Sequence, residues 1–146
     1  KSEPGECSID DALAAPGRRV SWFGIRNYQA RNFMRDDMTI GDAVLFYHSS
    51  CAKPDIAGIA RIASDVYPDE LQFDPESEYY DPKSTKENPR WLTLDVEALF
   101  KCPVVEIGRL REEPELAGMR VLQKGNRLSI TPVEKEEFAF IVRNLL

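Results

Sequence analysis

The sequence predicts one α+β domain in which a mixed β-barrel is surrounded by helices. Three observations support this fold class: the predicted strands are short and mostly connected as hairpins, helices occur at intervals between them, and 146 residues suffice for one domain but not for two. With 42% hydrophobic and 30% charged residues, the chain can form a core without disulfide or metal crosslinks. The sequence lacks a glycine-rich phosphate loop, which argues against a doubly wound dinucleotide-binding fold.

The N-terminal half is predicted to contain two helices and a hairpin. Ser8 and Asp11 have the spacing of a capping box, and the helix that they open should end at the following Pro-Gly pair. Segment 25–35 contains neither glycine nor proline and predicts a second helix. The continuous apolar run 43–47 predicts a strand that is buried on both sides and central in the sheet. Segment 56–62 predicts the next strand, with its glycine allowing a close backbone approach.

The C-terminal half is predicted to hold a long loop, two strands and a closing helix. Segment 64–90 is polar and carries four prolines, and loops of this length are commonly functional. Apolar and polar residues alternate in 92–98, as in a half-exposed strand. Helical pieces are expected within 104–122, and 127–130 is predicted to be a short last strand. The final helix is expected to begin with Thr131 as its N-cap.

The cysteines and the hydropathy pattern bear on the cellular compartment. Three cysteines are widely spaced and odd in number, which fits reduced thiols inside a cell better than the disulfide framework of a secreted protein. No apolar run approaches the roughly 18 residues of a membrane span, and no signal-peptide pattern opens the sequence. We therefore expect a soluble intracellular protein without a membrane partner.

The charge balance excludes a uniformly basic nucleic-acid binder. Nineteen basic and twenty-five acidic side chains give a net charge of −6, which disfavours binding to polyphosphate. Five arginines nevertheless fall within eighteen residues that contain no acidic side chain, namely Arg18, Arg19, Arg26, Arg31 and Arg35. Two interpretations are open: the arginines form a positive face that attracts phosphate, or they pair with the surplus acids and are structural.

Motifs for catalysis and metal binding are sparse. The sequence contains neither a nucleophile elbow nor a CxxC pair. His48 is the only histidine and Cys51 follows three residues later, but two ligands are too few for a zinc site. Asp74, Glu76 and Glu78 alternate and could hold a divalent cation, although a solvated acidic loop is the favoured interpretation. We therefore predict neither a bound metal nor another cofactor.

Segment 22–32 gathers aromatic, amide and guanidinium groups. These groups belong to Trp22, Asn27, Tyr28, Gln29, Arg31 and Asn32. An aromatic ring can stack on an unstacked base, an amide can pair with the edge of that base, and an arginine can hold the adjacent phosphate. An aromatic core with surface amides is an equally good interpretation of the same residues, and periodicity does not separate the two.

Six motifs, in this order, resemble the EVE domain family: KSEP (1–4), SIDDAL (8–13), WFGIRNYQARN (22–32), GDAVLFYHSS (41–50), YYDPKS with PRW (79–84 and 89–91) and RLSITPV (127–133). The resemblance covers essentially the whole chain and implies a single EVE domain over residues 1–146. It also implies a PUA-like barrel, akin to the YTH domain that reads methylated adenine in RNA. The family usually carries an aromatic-rich strand before KSEP, so the first strand is expected to be incomplete here.

The resemblance also implies a function and a site. Members of the family are thought to recognise modified bases, including methylated or hydroxymethylated cytosine in DNA, by holding a flipped base in a pocket. Carried over by motif, the implied pocket residues are Lys1, Ser2, Trp22, Asn27, Tyr28, Tyr47, His48 and Ser49. Contacts to the nucleic-acid backbone are expected from Arg26, Arg31, Arg35, Lys83 and Arg90. Trp91 is expected to pack in the core or to form a second wall.

Three functions remain open at this point. The leading hypothesis is a monomeric, noncatalytic reader of a modified base in DNA or RNA, with modest affinity because so acidic a chain neutralises few phosphates. The second is an enzyme acting on modified nucleotides or nucleic acid, with His48 as acid or base and Asp81 or Glu3 as its partner. The third is a module that binds a small anionic metabolite. Since relatives occur in bacteria and in nuclei, the expected location is cytoplasmic or nuclear, respectively.

Overall fold

The computed structural model describes residues 1–146, which form a four-stranded antiparallel sheet, a separate pair of short strands and four α-helices. The strands are β1 (Arg19–Ser21), β2 (Ala43–His48), β3 (Asp55–Ile62), β4 (Tyr67–Pro68), β5 (Leu92–Thr93) and β6 (Asp95–Glu106). The α-helices are α1 (Ile9–Ala14), α2 (Tyr28–Asp36), α3 (Ile107–Arg111) and α4 (Lys135–Asn144). None of these helices has the length and apolar composition needed to cross a bilayer.

The large sheet has the strand order β1-β6-β3-β2, and every neighbouring pair is antiparallel. The predicted α+β class and the hairpin of β2 with β3 are therefore confirmed. The sheet is not a closed barrel, because β1 and β2 lie at opposite edges and do not pair with each other. Segment 127–130, predicted as a last strand, contains bends and pairs with no strand.

Strand β2 lies at an edge of the sheet, so the prediction that it is central was wrong; β3 and β6 are the central strands. The apolar character of β2 has another cause. Successive side chains of a strand point to opposite faces, and here Phe46 belongs to one hydrophobic cluster while Tyr47 belongs to a second. Both faces of β2 are therefore apolar although one of its edges is unpaired over most of its length.

Strand β6 is much longer than predicted. The predicted strand 92–98 is divided between β5 and β6, which belong to different sheets, and β6 runs on to Glu106. The helical pieces expected after residue 104 begin only at Ile107. The polar side of segment 92–98 was predicted to be exposed, but Thr93 on that side is buried. Its hydroxyl lies 2.9 Å from the Ser21 hydroxyl, which satisfies a polar group that would otherwise be costly to bury.

Two capping boxes set the starts of α1 and α4. In α1 the Ser8 N–H donates to the Asp11 carboxylate at 2.9 Å while the Ser8 hydroxyl accepts from the Asp11 N–H, as predicted. In α4 the prediction of Thr131 as N-cap was wrong. The cap is Glu134, whose N–H donates to the Glu137 carboxylate at 2.9 Å, so the helix starts three residues later than expected.

The core consists of two hydrophobic clusters on the two sides of the sheet. In the first cluster, Ile9 and Ala12 come from α1, which packs mainly against β6, and the Ile9 side chain also reaches β3. A Cβ placed on Gly58 of β3 would lie 2.6 Å from Ile9 Cδ1 and 2.7 Å from the carbonyl oxygen of Phe100. Gly58 therefore permits the close backbone approach that the sequence suggested.

Candidate functional site

A cavity of about 780 Å³ lies between the N-terminal segment and the chain that follows β1. Its lining comes from parts of segments 1–7, 20–25, 49–50 and 126–129, together with Tyr79. The volume falls within the range of about 300 to 1,000 Å³ that is usual for small-molecule sites. Because five separate parts of the chain meet here, the cavity depends on the tertiary structure and on no single motif.

Backbone hydrogen bonds hold the N-terminal segment beside β2. The Ser2 N–H donates to the Tyr47 carbonyl at 2.8 Å, and the Ser49 N–H donates to the Ser2 carbonyl at 2.8 Å. The Lys1 backbone nitrogen donates to the Ser129 carbonyl at 2.7 Å. Burial lowers the pKa of the Lys1 side chain. Lys1, Ser2 and Ser49 thus all line the cavity.

Trp22 forms an aromatic wall of the cavity. Its backbone N–H donates to the Leu94 carbonyl at 2.8 Å, which extends the pairing of the β1 region with the sheet. The indole meets Phe46 edge to face, with the ring centroids 5.6 Å apart and an interplanar angle of 88°. The ring is only half-buried, and a hollow lies beside it. A Trp22 sealed within the core would have removed the candidate pocket.

The next part of the wall is formed by Gly24 and Tyr79, and the exposed Phe23 lies beside them at the cavity. Gly24 has φ +83°, a left-handed conformation that favours glycine, and a Cβ at this position would lie 2.9 Å from Tyr79 Cζ. The Tyr79 ring therefore packs directly on the backbone of Gly24. Phe23 meets the same ring edge-on, with centroids 6.1 Å apart. Segment 22–24 consequently presents two aromatic side chains in succession at the cavity.

A buried ion pair supports this wall from behind. Asp69 is 2% exposed and accepts hydrogen bonds from the Gly24 N–H at 2.8 Å and the Leu71 N–H at 3.0 Å. Arg26 Nη1 donates to the same carboxylate at 3.0 Å, and Arg26 Nε donates to the Tyr79 carbonyl at 2.9 Å. Arg26, predicted to contact a nucleic-acid backbone, is thus engaged within the protein and fixes the position of the wall.

Asn27 and Tyr28, predicted to reach into the pocket, lie outside it. The predicted helix 25–35 begins only at Tyr28, because Asn27 is its N-cap and accepts the Ala30 N–H at 3.1 Å. Ile25 is buried in the core, and beyond it the chain turns to another surface. There Tyr28 stacks on Trp91 with centroids 4.8 Å apart. Trp91 is buried and forms no wall of the cavity.

His48, also predicted in the pocket, connects β2 to α1 and β3. Its Nε2 accepts the first N–H of α1 at 3.1 Å, and its Nδ1 lies 3.3 Å from Asp55 Oδ1. Asp81, suggested as its partner in an enzyme, instead accepts the Trp91 indole N–H at 2.8 Å. Glu3, the other suggested partner, lines the cavity, whereas His48 does not. The arrangement gives His48 a structural role.

Tyr47 is buried and borders a second cavity of about 580 Å³, which is predominantly apolar. This cavity lies along β2 and is shared with segments 129–133 and 37–38. Trp22 and Lys1 border both cavities, so the indole separates the polar hollow from the apolar one. Tyr47 therefore borders the apolar cavity, together with Lys1 and Trp22 of its predicted group, and does not line the polar one.

The remaining predicted backbone contacts lie outside the first cavity. Arg31 Nη1 donates to the Arg90 carbonyl at 3.0 Å, and Arg35 Nε forms an ion pair with Asp36 at 2.8 Å. Hydrogen bonds to the carboxylate of Asp36 raise the pKa of Arg35. Lys83 is exposed and Arg90 is half-buried on the surface of the long loop. The arginine run thus includes residues that pair with acids and carbonyl groups, as the structural interpretation held.

Four of the eight predicted pocket residues line the polar cavity and four do not. Those that line it are Lys1, Ser2, Trp22 and Ser49; those that do not are Asn27, Tyr28, Tyr47 and His48. The prediction missed three prominent lining residues, Phe23, Tyr79 and Arg127. Each belongs to one of the quoted motifs, so the motifs contained a signal, but nothing local showed which members face the cavity.

No group of three or more His, Cys, Asp or Glu side chains is arranged to hold a metal ion. In the acidic loop, the Asp74 carboxylate accepts the Glu76 N–H at 2.9 Å, which is a turn interaction. The three cysteines are unpaired. Burial raises the pKa of the Cys7 thiol, which lines the cavity, so this thiol is less readily ionised than a free one.

Comparison with known proteins adds to this geometry. The EVE domain model matches residues 1–144. Thymocyte nuclear protein 1 from Homo sapiens is 39% identical, over 92% of this chain and 63% of the relative, so the chain spans less than two thirds of that protein. A Pseudomonas putida crystal structure is 47% identical with a TM-score of 0.91, covering 97% of this chain and 94% of its own.

One similar structure contains nucleic acid. Human THYN1 protein, in complex with 5-methylcytosine containing DNA, is 39% identical with a TM-score of 0.87, covering 93% of this chain and 84% of its own. The vertebrate relatives are named as nuclear proteins. The motifs, the fold and the extent of these matches agree, and the chain belongs to the EVE domain family.

Proposed function

We propose that this protein is a noncatalytic reader of a modified base in DNA, that 5-methylcytosine is its first candidate ligand, and that the base is flipped into the polar cavity beside Trp22. The observation that carries the proposal is the cavity itself, which has an aromatic wall and a volume of about 780 Å³. The similar human protein in complex with 5-methylcytosine containing DNA supports the choice of nucleic acid and base.

The wall can offset the cost of flipping. Extruding a base from a duplex costs a few kcal/mol, whereas stacking on an aromatic side chain contributes about 1 to 3 kcal/mol per base. Trp22 supplies an indole, and Tyr79 supplies further ring surface. The energetic balance is close, so small differences in fit, such as one methyl group, can decide whether a base is retained.

Polar groups around the cavity suit a cytosine. The exocyclic amine of cytosine is a hydrogen-bond donor, for which carboxylates are suitable acceptors. Glu3 and Glu6 line the cavity, and so do Ser2 and Ser49, the Ser2 hydroxyl donating to the Cys7 carbonyl. A cavity that combines acceptors with an aromatic wall can hold the edge of a base as well as its face.

Positive charge at the cavity is limited to few side chains. Lys1 and Arg127 line it, and Arg127 is exposed, so both are placed to contact phosphates that flank a flipped base. Lys83 and Arg90 remain predicted backbone contacts. Because the chain carries a net charge of −6, we expect modest affinity and a shallow dependence on salt.

The reader is better supported than the two alternatives. An enzyme with His48 as acid or base would need a free ring nitrogen near the ligand, whereas Nε2 of His48 accepts the first N–H of α1 and the residue does not line the cavity. A small anionic metabolite would share the cavity with both Glu3 and Glu6, whose charge opposes an anion.

A titration with oligonucleotides that differ only in one methyl group tests the proposal. The wild-type protein should prefer the DNA with 5-methylcytosine, and Trp22→Ala should abolish that preference because it removes the stacking surface. Phe100→Ala is the matched control, since Phe100 is 52% exposed on β6 and lines neither cavity. Unchanged discrimination in Trp22→Ala would remove the site assignment, and preference for methylated RNA would redirect the ligand class.

A further inference from the structure

Phe23 is a large apolar side chain that the fold holds at the cavity but leaves 53% exposed. It belongs to neither hydrophobic cluster of the core, and its aromatic contact is the edge of the Tyr79 ring. Exposure of this extent forgoes much of the free energy that burial of a phenylalanine would provide. The contribution of Phe23 to folding is therefore small, and what distinguishes it from the equally exposed Phe100 is its position at the cavity.

The backbone that carries Phe23 is firmly fixed. The following residue, Gly24, is in the left-handed conformation with φ +83° and packs against the Tyr79 ring. Its N–H donates to Asp69, which is 2% exposed and ion-paired with Arg26. Buried charges are costly unless they are fully partnered. The Asp69 carboxylate is engaged by Gly24, Leu71 and Arg26, whereas Nη2 of Arg26 is buried without a hydrogen-bond partner. The pair fixes the backbone next to Phe23 at the cavity.

Flipping a base leaves a gap in the DNA stack. Proteins that bend or open DNA insert apolar side chains such as Phe or Leu between base steps. Trp22, proposed to hold the flipped base, is adjacent to Phe23 in the sequence. Phe23 is thus one step along the chain from the base-holding wall and points to solvent.

We propose that Phe23 is a wedge that enters the duplex where the flipped base has left the stack. This proposal rests on the proposed function, because the wedge acts only while a base occupies the cavity. It assigns the two adjacent aromatic residues different tasks: Trp22 binds the base in any context, whereas Phe23 stabilises only the opened duplex. Single-stranded DNA has no partner strand to hold open and gains nothing from a wedge.

The test compares one sequence as duplex and as single strand, each with a single 5-methylcytosine, by fluorescence anisotropy. Phe23→Ala should lower duplex affinity about tenfold, which corresponds to roughly 1.4 kcal/mol, and leave single-strand affinity unchanged. Phe23→Leu should retain much of the duplex affinity, because leucine also serves as a wedge. Phe100→Ala, the equally exposed control, should change neither.

A mismatch opposite the modified base sharpens the result. It lowers the cost of opening, so the deficit of Phe23→Ala should shrink on the mismatched duplex. If Phe23→Ala weakens duplex and single strand equally, Phe23 is part of the pocket wall and the wedge is overturned; if it weakens neither, the wedge is also overturned. If the wild-type protein shows no preference for 5-methylcytosine, the proposed function fails, and the wedge proposal fails with it.

Discussion

Two regions of the molecule combine aromatic rings with arginines, and only one of them leaves room for a ligand. At Trp22 the indole meets Phe46 by an edge contact, and a hollow of about 780 Å³ lies beside it. At Tyr28 the ring stacks on Trp91, and the guanidinium carbon of Arg31 lies 4.6 Å from the centroid of the Tyr28 ring. Tyr28 is 50% exposed, but its ring contacts Trp91 and Arg31 and lines neither cavity. The comparison shows that the types of residue matter less than whether a ring borders a hollow or stacks on other residues of the protein.

The two regions are mechanically joined by Arg26. Its guanidinium carbon lies 5.4 Å from the centroid of Tyr79 in the cavity wall and 5.6 Å from that of Trp91 in the packed cluster. The Asp69 carboxylate holds this guanidinium in place. A substitution in the Arg26–Asp69 ion pair should therefore disturb both regions. A substitution in the cavity wall or in the packed cluster should disturb only the region in which it lies.

The largest expected effect comes from Asp69→Ala. The substitution leaves Arg26 without its partner and removes an acceptor from two backbone N–H groups. Breaking a buried ion pair by removing one partner costs about 3 to 5 kcal/mol, and we expect a loss near the lower figure. Urea denaturation measures it, with the exposed Asp65→Ala as control. A loss no greater than that of the control would show that the ion pair does not support the wall.

Gly24→Ala should have an intermediate effect confined to the cavity side. A side chain here would be strained by the positive φ and would lie 2.9 Å from Tyr79 Cζ, and we expect a loss of about 1 to 3 kcal/mol with weaker DNA binding. Gly41→Ala is the matched control, because Gly41 has φ +94° with open space around its Cβ position. Equal losses of stability in the two variants would remove the argument that Tyr79 packs on Gly24.

Tyr28→Ala separates the packed cluster from the cavity. Loss of the stacked pair with Trp91 should cost about 0.5 to 1.5 kcal/mol of stability, and discrimination between methylated and plain DNA should persist because Tyr28 lies outside the cavity. For Trp22→Ala, the same two measurements should show that discrimination between methylated and plain DNA is lost. If Tyr28→Ala abolished discrimination, the pocket predicted from the motifs would be correct and the cavity assignment would be wrong.

The smallest expected effect is a pH dependence in the packed cluster. The Trp91 indole N–H and then the Lys83 N–H donate to Asp81 and lower the pKa of its carboxyl. A carboxyl with a depressed pKa in the folded state stabilises the protein above its unfolded pKa, about 3.9, and that contribution is lost as pH falls through the folded value. Denaturation at pH 5 and at lower pH should therefore show a smaller decline for Asp81→Asn than for the wild type. Equal declines would contradict this assignment.

Sequence reasoning succeeded where the cause lay within a few residues. The capping box of Ser8 and Asp11, the hairpin of β2 and β3, and the close approach at Gly58 were all predicted from neighbouring residues. It failed where two local patterns competed. Thr131 and Glu134 are both followed by a glutamate at the capping-box spacing, and only the contacts of α4 with the rest of the chain select the second.

The sequence by itself determined the α+β class, the family and the motifs from which the cavity is built, because composition, periodicity and capping act over short distances along the chain. The tertiary structure alone decided that the sheet stays open, that β2 is an edge strand and that Trp22 lines a hollow while Tyr28 stacks on Trp91. The stacking partner of a ring can come from far away in sequence, as Trp91 does for Tyr28, and no local pattern encodes that contact.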